Sequence, residues 1–237
     1  MPATAPFTPK ALAFLRALKR NNRREWFHER RDEYEQLLRR PMMAVVEGFG
    51  HEFRRFAPDL MADPKKSVYR IWRDTRFSAD KRPLKTNVAA VFPHRLGDRH
   101  TSAGLYLEIA PEWVFAGGGL YMPDPQGLHR IRERIAEDPR AFRRVVNAPA
   151  LKRAGGLQGE SLKRVPRGFP ADHPAADYLK MKQFLVWGEW PPELATTPKF
   201  WTELLTTFRA TAPLLNYLND ALGHHDARQS TLTIRST

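Results

Sequence analysis

The sequence predicts an α+β fold, a mostly antiparallel sheet packed against N-terminal and C-terminal helices. Three observations carry this. Apolar residues recur at helical spacing through the first 56 positions. Short runs rich in β-branched and aromatic residues follow, separated by turn residues, and helical spacing returns from Pro125 onward. Strands and helices do not alternate regularly, as a doubly wound parallel sheet would require.

The first helix begins at Thr8-Pro9, an N-cap with proline at the first helical position, and runs on Leu12, Leu15 and Leu18 until Asn21 and Asn22 end it. A second helix is expected over 23–40, with Asn22 as its cap, Glu25 complementing its dipole, and Trp26, Phe27, Tyr34, Leu37 and Leu38 turned inward. A third follows over 41–56 on Met42, Val45, Val46, Phe49 and Phe53. Strands are expected over 68–73, 87–93, 103–110 and 113–121, punctuated by Leu96-Gly97-Asp98 and Ala110-Pro111-Glu112. Helices are expected over 125–137, 139–147 and 198–222, with strands or extended loops over 157–169 and 184–190. One domain is expected over 7–222, followed by a flexible tail over 223–237 that is short of large apolar residues.

Fourteen Phe, six Trp and six Tyr place the chain among folded proteins, because that much aromatic surface offsets the entropy of ordering. The absence of cysteine excludes disulfides, thiolate chemistry and any metal site needing a Cys ligand. The start MPATAPFTPK has neither the basic nor the apolar region of a secretion signal, and no eighteen apolar residues are consecutive. The expectation is a cytoplasmic protein without a membrane partner.

Net charge is +13, and 28 of the 39 basic residues are Arg. Residues 1–60 carry 12 basic and 8 acidic groups, 101–150 carry 6 and 6, and 151–237 carry 11 and 8. Residues 61–100 carry 10 and 4, so nearly half the excess lies in about one sixth of the chain. The centre of this excess is YRIWRDTRFSADKRPLKT, Tyr69 to Thr86. In a strand over 68–73, Arg70 and Arg73 point to opposite faces, and Asp74 is the natural partner for the one turned inward. Guanidinium forks take phosphate or carboxylate oxygens in pairs while Lys acts as a point charge. Arg70, Arg73, Arg76, Ser78, Lys81, Lys85 and Thr86 are therefore the candidate anion-binding residues. An internal salt-bridge lattice with Asp74, Asp80 and Glu25 is the competing reading.

The segment Arg73 to Thr86, RDTRFSADKRPLKT, resembles the signature R-D-T-R-F-S-x-D-K-x-P-x-K-T of the family designated domain of unknown function 2461. The similarity extends to NNRREWF, AGLYLEI, FAGGGLYMP and GESLKRVPRGF and to a late helix over 208–222, so it covers nearly the whole chain from about Phe7. Leu84 stands where relatives often carry an aromatic, and Arg82 at a position that varies. The resemblance implies one domain and brings no activity, cofactor or catalytic residue with it.

Gly117, Gly118 and Gly119 fit neither a P-loop nor a dinucleotide fingerprint. Three glycines in a strand mark a bulge, or the close approach of another backbone or a ligand. They join Glu25 and Trp26 as candidate pocket-lining residues. The eight His have no metal-ligand spacing, so no metal and no cofactor are predicted. Asp74, Asp80 and Glu108 are the candidate acids or bases, with a salt bridge to an arginine expected for Glu108. Three functional readings follow. The basic loop contacts nucleic-acid phosphates, with Tyr69, Trp72 or Phe77 stacking on bases; or it clamps a small phosphorylated or carboxylated substrate of an enzyme; or it is purely structural.

Overall fold

Prolines set where several helices begin. In the computed structural model, which describes residues 4–76, 79–98 and 100–224, Pro9 opens α1 (Pro9–Arg20), where a missing N–H costs nothing. The stretch predicted as one helix is instead α2 (Arg24–Glu29), a break at Arg30, α3 (Arg31–Tyr34) and a π-helical turn over Glu35–Arg39 that leads into α4 (Arg40–Phe56). Arg30 leaves the helical region at φ −118°, ψ 19°. Apolar spacing runs on through such a break, so the periodic pattern alone does not register it. A short α5 (Pro64–Ser67) is capped by Asp63, whose carboxylate accepts from the Lys65 N–H.

The sheet has the order β1 (Val88–Phe92), β2 (Gly104–Ile109), β3 (Val114–Leu120) and β4 (Phe184–Trp190), and is antiparallel. In the β1–β2 register Val88 faces Ile109 and Phe92 faces Leu105. Leu105, Leu107 and Ile109 of β2 are fully buried, while Tyr106 and Glu108 lie on the other face. The segment 68–73 is extended but forms no strand of the sheet: an isolated bridge joins Val68 to Ala90 of β1, and a second joins Trp72 to Leu84 in the loop before it. The Tyr69 N–H donates to the Ala89 carbonyl, the Arg73 N–H to the Pro83 carbonyl. Pro83 has no N–H to return, so no regular ladder forms there. Residues 157–169 likewise form isolated bridges, Gln158 to Leu185 of β4 and Ser161 to Met181 ahead of that strand.

The helices after β3 are α6 (Pro125–Glu137), α7 (Pro139–Val146), α8 (Pro149–Arg153) and α9 (Ala176–Leu179); α10 (Lys199–Ala221) follows β4. Asp124 and Asp138 cap α6 and α7 by accepting N–H bonds from Gln126 and Gly127, and from Ala141. The chain divides into two compact units. The first comprises 1–92, 105–117 and 187–209, and its core gathers Phe49, Phe53, Phe92 and Phe208 with ring centroids 5.0–6.2 Å apart. The second comprises 93–104, 118–186 and 210–237, with Phe142 packed on Tyr178, Phe184 and Tyr217. Among the described residues no helix is long and apolar enough to cross a membrane. The expected tail over 223–237 lies, from position 225 on, outside the described residues.

Candidate functional site

Two short Asp-x-Arg turns build the basic loop. Asp74 accepts from the Arg76 N–H at 3.2 Å and from its guanidinium at 3.1 and 2.8 Å. Asp80 does the same for Arg82, at 3.1 Å from the N–H and 2.7–3.1 Å from the guanidinium, and also takes the Arg73 guanidinium. A carboxylate two residues before an arginine can satisfy both its backbone donor and its fork, which orders the loop locally. Arg76 and Arg82 thus each commit Nε and one terminal nitrogen to the loop itself. Their guanidinium bonds hold the Asp74 carboxyl at about 2 and the Asp80 carboxyl further below the usual range. A depressed carboxyl pKa contributes order that is complete above the ordinary carboxylate range and lost as pH falls through the depressed value. The Arg76 and Arg82 Nε–H resonances are therefore expected to stay dispersed at pH 4 and to collapse toward pH 2, Arg76 first.

Asn22 clamps this loop to the start of α2. Its Nδ2 donates to the Leu84 carbonyl at 2.9 Å and its Oδ1 accepts from the Leu84 N–H at 3.0 Å, the bonding pattern of a neighbouring strand. Arg23 takes the N-cap position expected of Asn22, without a side-chain cap bond. Beside the clamp, with Asn22 in its wall, lies an open cleft of about 730 Å³. Arg23, Arg24, Arg73 and Lys81 line it against, among the described residues, a single carboxylate, Glu25, with Trp72 and Thr75 in its wall. Arg23 and Arg24 are exposed and form no ion pair among the described residues. Lys81 is anchored by a 3.0 Å bond from its Nζ to the Thr75 carbonyl. Glu25 and His28, three residues apart on α2, both line the cleft.

A second cleft, of about 450 Å³, shares His28 and Trp72 with the first. Arg31, Arg70 and Arg39 line it, and among the described residues only Arg39 of the three forms an ion pair, with Glu35 at 3.2 Å. Tyr34 also lines it, with its hydroxyl pushed up to about 12 by burial and the nearby Glu35 charge. That hydroxyl stays neutral and able to donate through the physiological range.

The residues named from sequence separate accordingly. Arg73, Lys81 and Glu25 line the first cleft and Arg70 the second, so the opposed faces of the extended segment serve different clefts. Arg76 is held by Asp74, Lys85 lies over the Tyr69 ring at 4.6 Å, and Thr86 lines neither cleft. Ser78 and Phe77 lie outside the described residues. Asp74 and Asp80 are consumed in the loop turns and line neither cleft. Trp26 packs on Phe14 and lies under the Arg30 guanidinium, away from both cleft walls. Glu108 accepts from the Tyr106 hydroxyl at 2.6 Å and the Trp113 Nε1–H at 2.9 Å, where an arginine was expected. Burial, reinforced by this carboxylate, pushes the Tyr106 hydroxyl far up.

Gly117, Gly118 and Gly119 line neither cleft. Gly119, at φ +133°, lies so close to β4 that a Cβ would sit 1.9 Å from the Phe184 carbonyl oxygen; the close approach is that of another backbone. Arg23, Arg24, His28 and Arg31 were not singled out as site residues by sequence reasoning, although NNRREWFH holds three of them beside Glu25. A second charge cluster was also missed. Residues 139–168 carry eight basic side chains and one acidic, all nine of them exposed, and the basic ones make no ion pair among the described residues.

A family model described as a conserved hypothetical protein (DUF2461) matches residues 10–217 of the chain. No curated protein and no solved structure matches it.

Proposed function

The chain belongs to the conserved hypothetical family of domain of unknown function 2461, and from that premise we propose that it is a cytoplasmic anion-binding protein whose first cleft takes the phosphate or carboxylate of a small molecule. One observation carries the reading: four cationic side chains converge on a concave cleft that holds one carboxylate. A flat basic surface suits a polyanion, whereas a recess of this size suits a small ligand. Arg23 and Arg24 bring unspent guanidinium forks, Lys81 a positioned point charge, and Asp80 keeps Arg73 in place. Glu25 and His28 set an acid and a base beside the bound anion, so transfer or hydrolysis at that group is the reaction class to assay.

Calorimetric titration with inorganic phosphate and pyrophosphate at low salt tests this. Arg23→Ala with Arg24→Ala is expected to weaken binding about 10- to 100-fold, the range for losing charge-assisted hydrogen bonds, while the melting temperature stays put. No heat of binding in the parent protein would remove the reading. Nucleic-acid phosphates are the second reading, favoured by the exposed run over 139–168. Its arm in the same titrations is a single-stranded oligonucleotide at two salt concentrations. Arg140→Gln with Arg143→Gln and Arg144→Gln is expected to flatten the salt slope by about 0.7 per lost phosphate contact, and Arg23→Ala with Arg24→Ala to leave it unchanged.

A further inference from the structure

The two clefts are lined in common by His28 and Trp72, and each has cations that form no ion pair among the described residues: Arg23 and Arg24 in the first, Arg31 and Arg70 in the second, with Asp74 near enough to Arg70 to feel its charge. The chain produces this arrangement through two simple periodicities. Along the extended segment, Arg70 and Arg73 point to opposite sides, and Trp72 beside them reaches both clefts. Along 23–31, the end of α2 and the break at Arg30 carry Arg23 and Arg24 to one cleft and Arg31 to the other, with His28 between. Trp72 is half-buried, its ring held edge-on against Phe27 at 5.5 Å and tilted against His28 at 6.1 Å. It is a half-buried aromatic surface that borders both cationic recesses.

We propose that the two clefts are halves of one site, which takes a small molecule with a flat unsaturated body and an anionic group at each end, the body lying on Trp72. This rests on the anion-binding reading of the first cleft and adds to it the ligand's second charge and its planarity. Each end alone meets exposed, solvated guanidinium groups and binds weakly. A rigid ligand carrying both ends makes the second contact intramolecular, so affinity rises by the effective concentration rather than by any stronger single contact. The flat body loses little freedom on binding and covers apolar ring surface between the two charged ends. In the second cleft the neutral Tyr34 hydroxyl supplies a donor beside Arg31 and Arg70.

The test titrates the full chain with inorganic phosphate, phenylphosphonate, para-phenylene diphosphonate, biphenyl diphosphonate and hexamethylene diphosphonate. One of the two aromatic diphosphonates is expected to bind at least 30-fold tighter than phenylphosphonate and at least 5-fold tighter than the flexible chain. Arg31→Ala with Arg70→Ala is expected to return its affinity to that of phenylphosphonate and to remove phosphate binding at the second cleft, while phosphate binding at the first cleft, the part lost in Arg23→Ala with Arg24→Ala, stays within 2-fold. Trp72→Leu, checked for an unchanged far-UV spectrum, is expected to erase the aromatic preference; if the spectrum changes, Trp72→Phe is used, with a partial loss expected. Phosphate binding without any gain for an aromatic diphosphonate overturns the two-ended site and leaves the anion cleft standing. A hexamethylene compound as tight as the aromatic ones overturns the flat body. Absence of binding by phosphate and by every phosphonate overturns the cleft reading and the two-ended site together.

Discussion

Gly119→Ala is expected to cost at least about 3 kcal/mol of stability and to lower the melting temperature by about 6–12 °C. Two effects combine at this position. Its φ of +133° lies in a region that L-residues rarely adopt, and a methyl group there would overlap the Phe184 carbonyl oxygen at 1.9 Å and crowd the Leu185 Cα at 2.9 Å. Both obstacles are backbone atoms of the neighbouring strand, so no rotamer change relieves them and β3 and β4 must part. Gly156→Ala separates the two effects. Gly156 also has positive φ, at +71°, but nothing lies within 4 Å of the added Cβ, so only the cost of a left-handed residue, about 1–2 kcal/mol, is expected. If the two variants melted together, the close strand approach would be wrong and the three glycines would need another explanation.

Where local chemistry decides, the sequence could be read. The proline after Thr8 marked a helix start that the structure reproduces at Pro9, and the helices expected over 125–137 and 139–147 begin at Pro125 and Pro139. The short run between turn residues expected as a strand over 103–110 matched β2 to within a residue at each end. The break at Arg30 and the π turn after it could not be read, because the apolar stripe that defines a helix continues across both. For the site, the loop cations were legible but their division of labour was not. Asp74 was matched to the inward arginine of the 68–73 segment, yet its partner is Arg76, two residues on, while Arg73 is held by Asp80. Local turns outcompeted the pairing that strand geometry suggested. Arg23 and Arg24 were accounted for as part of a helix start, and their meeting with Lys81 spans more than fifty positions, a distance over which no periodicity speaks. The cations over 139–168 fell on both sides of a boundary at position 150, where their excess was diluted by the acidic residues around them.

Asn22→Ala is expected to destabilise the protein by about 2–4 kcal/mol and to weaken phosphate binding about 10-fold, although the side chain carries no charge. Leu84 is fully buried, and both of its backbone groups depend on the Asn22 amide, at 3.0 Å for the N–H and 2.9 Å for the carbonyl. Truncation leaves a donor and an acceptor without partners in a part-buried place, and each costs its own desolvation. The same amide holds the loop bearing Arg73 and Lys81 beside Arg23 and Arg24, so losing it lets the two halves of the cleft drift and spoils the convergence of charge. Asn22→Asp tests the chemistry more finely. A carboxylate can still accept from the Leu84 N–H but cannot donate to the Leu84 carbonyl, and it adds a negative charge to the cleft. Because its second oxygen would face the Leu84 carbonyl oxygen where Nδ2 now donates at 2.9 Å, it should be at least as destabilising as alanine at pH 7 and more harmful to phosphate binding. The pair of outcomes distinguishes clamp from contact, because Arg23→Ala with Arg24→Ala is expected to lose binding at constant melting temperature. Should Asn22→Ala melt within 2 °C of the parent, the amide is not what joins α2 to the loop, and the cleft owes its shape to something else.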